Sequence, residues 1–253
     1  MEIELIALRQ DNYSYWIRDP ATQVVGIVDP ADAEGVEAFL ARKGGRLDFV
    51  LNTHHHYDHV DGNILFKEKY QAKIVGPLMD EARIPGLDVA VSHKSKWQFG
   101  SKQVEILDTP GHTRGAICFW FTSERAVFCG DTLFSMGCGR LFEGTPEQMW
   151  ESLKKLRNLP DDTKVFCGHE YTLANAKFAM TVDPDNKELL ERFRQVEKLR
   201  AKSQPTIPTT IGLEKKTNPF LRADVDHLRA SLNMLETTPE EVFAKVRSLK
   251  DNF

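Results

Sequence analysis

Four of the chain's eight histidines fall within the six residues His54–His59, and an aspartate, Asp58, stands among them. They follow directly on Phe49-Val50-Leu51-Asn52-Thr53, a short apolar run of strand character. A solvated polar loop has no need of that spacing, whereas a metal site does. The H-x-H-x-D-H order offers nitrogen and oxygen donors suited to zinc, iron or manganese. In an extended chain His54, His56 and Asp58 would point one way and His59 the other. One ion cannot take all four from so short a piece. A turn that sends His54 and His56 to one ion, and Asp58 and His59 to a second, resolves the geometry.

Further donors recur at strand ends. Val127-Phe128-Cys129-Gly130-Asp131 and Val165-Phe166-Cys167-Gly168-His169 are one five-residue device that differs only at its last position. Each is a buried strand, a glycine that lets the backbone turn, and a ligand-type residue. Thr109-Pro110-Gly111-His112 presents another histidine in a tight turn after the strand Val104–Leu107. Seven donors result. We assign His54, His56 and His112 to one ion and Asp58, His59 and His169 to the other. Asp131 bridges them, because a carboxylate has two oxygens to share. His55 is the spacer and is expected to bond outside the ligand set. His93 and His227 read as surface residues, and Cys129 and Cys167 as buried strand residues rather than nucleophiles.

Around these motifs, β-rich runs alternate with helical patterns, as in an α/β body. Val24–Val28, Ala116–Phe121 and Ala126–Cys129 read as strands. Thr145-Pro146-Glu147-Gln148 opens a helix with Thr as N-cap, and Thr238-Pro239-Glu240-Glu241 repeats the logic near the C-terminus. After Tyr171 no convincing strand is found. Leu189, Leu190, Phe193, Val196 and Leu199 give an amphipathic helix, and the Pro205–Thr210 connector interrupts the helices. The expected division is a catalytic domain over 1–171 and an all-helical domain over 172–253.

Lys and Arg number 33 against 37 Asp and Glu, a net charge of −4, which argues against binding nucleic acid by phosphate neutralisation. No apolar run reaches membrane-span length. The acidic, alternating Met1–Leu5 lacks the features of an export signal, and the four cysteines form no C-x-x-C pair. The expectation is a cytoplasmic, monomeric protein with reduced thiols.

H-x-H-x-D-H with later Gly-His, Gly-Asp and Gly-His resembles the signature of the metallo-β-lactamase superfamily. Phe128–Phe134, Gly137–Thr145 and Gly168–Thr172 narrow the resemblance to the glyoxalase II (hydroxyacylglutathione hydrolase) family, as do Asp11-Asn12-Tyr13, Thr217–Phe220 and Arg247–Phe253. It spans the whole chain. The resemblance implies a four-layer αββα sandwich with a binuclear site at one edge and a C-terminal helical domain that helps hold glutathione. It implies two divalent ions, zinc first among them with iron or manganese as alternatives, and hydrolysis of S-D-lactoylglutathione to D-lactate and glutathione, the second step of methylglyoxal detoxification. A water bridging two such ions ionises near neutral pH and needs no side-chain base. The same resemblance places glutathione against Arg140, Phe142, Tyr171 and Asn175, with Arg247 and Lys250 on its glycine carboxylate. Arg247 and Lys250 lie three apart, on one helix face. Phe142 stands where some relatives carry Tyr, and it cannot donate a phenolic hydrogen bond.

A glutathione persulfide dioxygenase of the same fold is the rival reading; His169-Glu170-Tyr171-Thr172 and the terminal Arg/Lys pair favour the hydrolase. A β-lactamase must protonate an amine leaving group, and the carboxylate at position 131 counts against it. The acidic balance disfavours an RNA-processing nuclease. A closed structural zinc site uses four ligands, whereas seven over two ions leave room for a water.

Overall fold

The apolar runs of the first half pair into sheets. In the computed structural model, which describes residues 1–93 and 95–253, six strands form one sheet in chain order: β1 (Glu2–Leu8), β2 (Asn12–Arg18), β3 (Val25–Val28), β4 (Phe49–Leu51), β5 (Lys73–Pro77) and β6 (Leu87–Val91). β1 to β3 are antiparallel, and β3 to β6 run parallel. Parallel neighbours require crossovers. Helix α1 (Ala33–Arg42) supplies one; the short α2 (Tyr57–Val60) and α3 (Asn63–Tyr70) supply the next. Asp32 caps α1 by accepting from the Gly35 amide at 2.7 Å. Val36 and Leu40 of α1 and Phe66 of α3 pack on the sheet with Leu8, Trp16, Ile27 and Val50.

A second set, β7 (Trp97–Phe99), β8 (Lys102–Asp108), β9 (Ile117–Phe121) and β10 (Ala126–Gly130), is an antiparallel meander. Aromatic contacts join it to the first sheet: Phe49 to Trp97 with ring centres 5.7 Å apart, and Tyr15 to Phe128 at 5.4 Å. Helix, sheet and sheet are thus stacked around two apolar seams, the α/β sandwich that the alternating pattern predicts.

These elements make up one compact unit, Met1–Asp108 with Arg114–Gly130; the second is Thr109–Thr113 with Asp131–Phe253. The division follows packing, so the His112 turn and the chain from Asp131 onward group with the helices. The second unit holds the hairpin β11 (Leu133–Phe134) and β12 (Gly137–Cys138), helix α4 (Pro146–Arg157) and strand β13 (Lys164–Cys167). It continues with α5 (Thr172–Val182), α6 (Lys187–Arg200), β14 (Thr209–Thr210), α7 (Ile211–Thr217), α8 (Asp226–Ser231) and α9 (Pro239–Asp251). Both Thr-Pro starts form complete capping boxes, Thr145 with Gln148 and Thr238 with Glu241. Leu189 and Val196 of α6 are buried against Ala176 and Ala179 of α5. One expectation fails here: Thr209–Thr210 pairs antiparallel with Lys164–Val165. Two residues carry no period, so a strand this short leaves no pattern to read.

Glu214 of α7 is fully buried and anchors the β11–β12 hairpin. It accepts from Ser135 Oγ at 3.0 Å, the Met136 amide at 2.7 Å, Thr209 Oγ1 at 2.6 Å and Asn218 Nδ2 at 3.0 Å. Burial pushes its carboxyl above the ordinary value, and the four donors oppose that shift.

In the first unit, Asp19 is buried and accepts from the Ser101 amide at 2.7 Å, Thr22 Oγ1 at 2.7 Å and the Ala21 amide at 3.1 Å. The Ser101 amide leads these donors in holding its pKa well below 3.8. A depressed carboxylate contributes stability above its unfolded pKa and loses it as pH falls through the folded value. Asp19→Asn should therefore lower the urea midpoint at pH 7. The gap to wild type should close as the pH drops below about 3.8, and a gap that persists in acid would contradict this. Among the described residues, no helix is long and apolar enough to cross a membrane.

Candidate metal centre and substrate cleft

The first unit carries four of the seven expected donors. β4 ends at Leu51, Thr53–His56 continue without helix or strand, and α2 begins at Tyr57. That helical turn is the change of direction the spacing demands, since it takes Asp58 and His59 off the line of His54 and His56. The ring centres of His54 lie 4.8 Å from His56 and 4.1 Å from His59. Asp58 Oδ2 is 3.8 Å from His59 Nε2 and accepts from Asn12 Nδ2 at 3.0 Å. His54 and His59 are buried, and His56 and Asp58 are partly exposed.

What orients these rings is Asp29, which follows directly on β3 and stands outside the seven expected donors. Its Oδ1 accepts from the Thr53 amide at 2.8 Å, and its Oδ2 from Thr53 Oγ1 at 2.7 Å. The same Oδ2 lies 3.1 Å from His59 Nδ1. A carboxylate only accepts, so His59 carries its proton on Nδ1 and presents the lone pair on Nε2. Thr53 spends its hydroxyl proton on Asp29, so its oxygen accepts from His54 Nδ1, 3.0 Å away. His54 is thereby set to the same tautomer. One buried carboxylate thus fixes which ring nitrogen two candidate ligand histidines present, as outer-shell groups of metal sites do. The approach is tight: Gly130 has φ +48, and a Cβ there would sit 2.2 Å from Thr53 Oγ1. An Asp-Pro after a β-rich run was the available signal for Asp29.

His55 is committed elsewhere. Its Nδ1 lies 3.1 Å from buried Asp80 and its Nε2 3.2 Å from Arg83 Nη1. The spacer thus bonds to Asp80 and Arg83, neither of which is among the candidate donors.

The second unit carries the other three donors. Asp131 Oδ2 lies 3.5 Å from His112 Nε2 and 3.3 Å from His169 Nε2, and all three residues are buried. The Arg140 carbonyl, which can only accept, holds His112 Nδ1 at 2.8 Å, so this ring too presents Nε2. Gly139 permits that loop, for a Cβ there would fall 1.9 Å from the Asp131 carbonyl oxygen. Tyr171 stacks on His169 with ring centres 4.7 Å apart, and Phe142 meets His112 edge-on at 5.2 Å. The donor set of both units is imidazole nitrogen and carboxylate oxygen, the chemistry that suits divalent zinc, iron or manganese.

A cleft of about 400 Å³ in the second unit is lined by all six residues proposed for substrate: Arg140, Phe142, Tyr171, Asn175, Arg247 and Lys250. Phe134, Cys138 and Ala174 complete it. Val242, Phe243 and Val246 anchor α9 in the core, and Arg247 is itself only 6% exposed. It donates to the Cys138 carbonyl at 2.9 Å and lies over the Phe220 ring at 5.0 Å. Burial, then the charges of Arg247 and Arg140, hold the Lys250 ammonium below the ordinary lysine value. Burial pushes the Cys138 thiol up to about 11, and raises Cys167 as well, so neither thiol is poised as a nucleophile. His93 and His227 are exposed and paired with Asp108 and Asp183.

Known proteins resemble this chain over its whole length. Residues 9–169 match the metallo-beta-lactamase superfamily, and residues 170–253 match the family described as hydroxyacylglutathione hydrolase C-terminus. A hydroxyacylglutathione hydrolase of Brucella ovis is 48% identical over 253 residues, covering 100% of this chain and 98% of that protein. Among solved structures, ETHE1 from Myxococcus xanthus superposes with a TM-score of 0.68 at 27% identity, covering 99% of this chain and 98% of the other. TTHA1623 in a di-iron-bound form gives 0.62 at 25% identity, covering 86% of this chain and 100% of the other.

Proposed function

Because the chain belongs to the hydroxyacylglutathione hydrolase family of the metallo-β-lactamase superfamily, we propose that it hydrolyses S-D-lactoylglutathione to D-lactate and glutathione. The observation that carries this reading is the cleft, where three cationic side chains and three aromatic rings meet beside Cys138. A glutathione moiety has carboxylates for the cations and a peptide backbone that packs on rings. Tyr171 and Phe142 each contact both the cleft and a candidate ligand histidine. A thioester seated there therefore has its reacting end next to His112 and His169. We assign the glycine carboxylate to Arg247 and Lys250, and residues 172–253 to substrate binding.

The seven donors would hold two divalent ions: His54, His56 and His112 on one, Asp58, His59 and His169 on the other, with Asp131 shared. Zinc is the proposed ion. Two ions held by these side chains would supply a hydroxide nucleophile at neutral pH and Lewis-acid stabilisation of charge on the carbonyl oxygen. Asp29, Thr53 and the Arg140 carbonyl keep the ligand rings in the tautomers such a site needs. Asn12 holds Asp58 by its side-chain amide. The leaving glutathione thiolate, with a pKa of roughly 8.5 by analogy with cysteine, departs without a general acid. None of the seven donors is required to act as one. Supply of every donor by one chain fits a monomer, and the cysteine usage fits the cytoplasm.

Removing Lys250 tests the cleft directly. Lys250→Ala should raise KM about tenfold, the worth of one charge-assisted hydrogen bond, and leave kcat within about twofold. An unchanged KM would place the substrate elsewhere. For the reaction, one thiol and one D-lactate should appear for each thioester lost. Oxygen uptake with glutathione persulfide, and no thioester loss, would establish the dioxygenase instead.

A further inference from the structure

Asp251 is out of place for helix stability. It is the last residue of α9, where the helix dipole disfavours an anion. It also follows Arg247 by four residues, the weaker order for a helical ion pair. Yet its Oδ1 lies 3.0 Å from Arg247 Nη2 and 3.3 Å from Arg140 Nε. It also acts on the third cation, since its charge favours the ionised form of Lys250. Among the described residues, no other carboxylate pairs with any of the three. The cleft's cations therefore share one resident anion.

We propose that Asp251 is a built-in competing carboxylate, a specificity-determining residue that engages the cleft's cations when substrate is absent and limits how tightly a glutathione carboxylate binds. The proposal rests on the reading of the cleft as the glutathione site. Arg247 does not need Asp251 to stay in place. It is held by the Cys138 carbonyl and packed over Phe220, with 6% of its surface exposed. Asp251, with 35% of its side chain exposed, is instead free to yield. An incoming carboxylate must displace or share its contacts, so part of the attraction of three cations is already spent. The same balance discriminates between ligands. With Asp251 present the group carries an excess of two positive charges; without it, three, which favours more anionic thiols and thioesters indiscriminately.

The test is calorimetric binding of glutathione to the metal-loaded chain, which reads the cleft apart from turnover. Asp251→Asn keeps the shape and removes the charge. It should bind glutathione about two- to fivefold more tightly at low salt, the range of a partly exposed ion pair, with the gain shrinking as salt rises. KM for the thioester should fall in parallel. Asp251→Glu, which keeps the charge, should stay near wild type. Weaker or unchanged binding by Asp251→Asn would overturn the proposal and leave Asp251 a mere strut for its neighbours. Failure of the underlying reading looks different: if Lys250→Ala binds glutathione as wild type does, the cleft is not the glutathione site and the assignment of Asp251 falls with it.

Discussion

Asp131→Ala should lower kcat/KM on S-D-lactoylglutathione by about a thousandfold or more, with the fold retained by circular dichroism. The magnitude follows from what the residue does. Its Oδ2 faces both His112 Nε2, at 3.5 Å, and His169 Nε2, at 3.3 Å. These histidines are assigned to different ions. Losing a group that organises charge at the reacting centre costs on the order of 10² to 10³ in rate even when it is only a hydrogen-bond donor, and a shared ligand does more. The side chain is small and polar, so its removal opens no large apolar cavity. Activity within tenfold of wild type would mean that Asp131 holds nothing essential, and the two-ion assignment would fall.

Asp29→Ala should weaken metal binding by about 10- to 100-fold, although Asp29 belongs to none of the proposed ligand sets. Three donors lose their acceptor together: the Thr53 amide, the Thr53 hydroxyl and His59 Nδ1. Thr53 is then released to donate to His54, which reverses the tautomer of that ring. Each donor left buried and unsatisfied also costs about 1–3 kcal/mol of stability. Asp29→Asn keeps the volume and one carbonyl oxygen, so it should lose less stability than Asp29→Ala and still bind metal weakly. The readout is a competition titration against a chromogenic chelator. Wild-type affinity in both variants would contradict a positioning role.

The candidate donors were legible in the sequence because metal ligation restricts residue type and spacing so sharply. His54 to His59 announce themselves, and the repeated Cys-Gly-Asp and Cys-Gly-His strand ends point to Asp131 and His169. The helices opened by Thr145 and Thr238 were legible for a similar reason, since a capping box is a local hydrogen-bond pattern. What escaped was non-local. Asp29 matters through Thr53 and His59, which are 24 and 30 residues away. Asp251 matters through an arginine more than a hundred residues earlier in the chain. Glu214 reads as an ordinary helix-surface glutamate until its four buried donors are seen together. The strand β14 was invisible because two residues carry no period. Arg247 shows a related limit. Its place on the face of α9 beside Lys250 could be read from spacing, but its burial under the Cys138 carbonyl could not.

If the seven side chains hold two ions for hydrolysis of a glutathione thioester, activity must follow metal occupancy. Zinc added stepwise to metal-stripped protein, with bound metal quantified in each sample, can be followed by the thioester absorbance of S-D-lactoylglutathione. Hydrolysis should rise with occupancy and level off at about two equivalents per chain. Full activity at one equivalent, or no hydrolysis with two bound, would contradict the two-ion assignment.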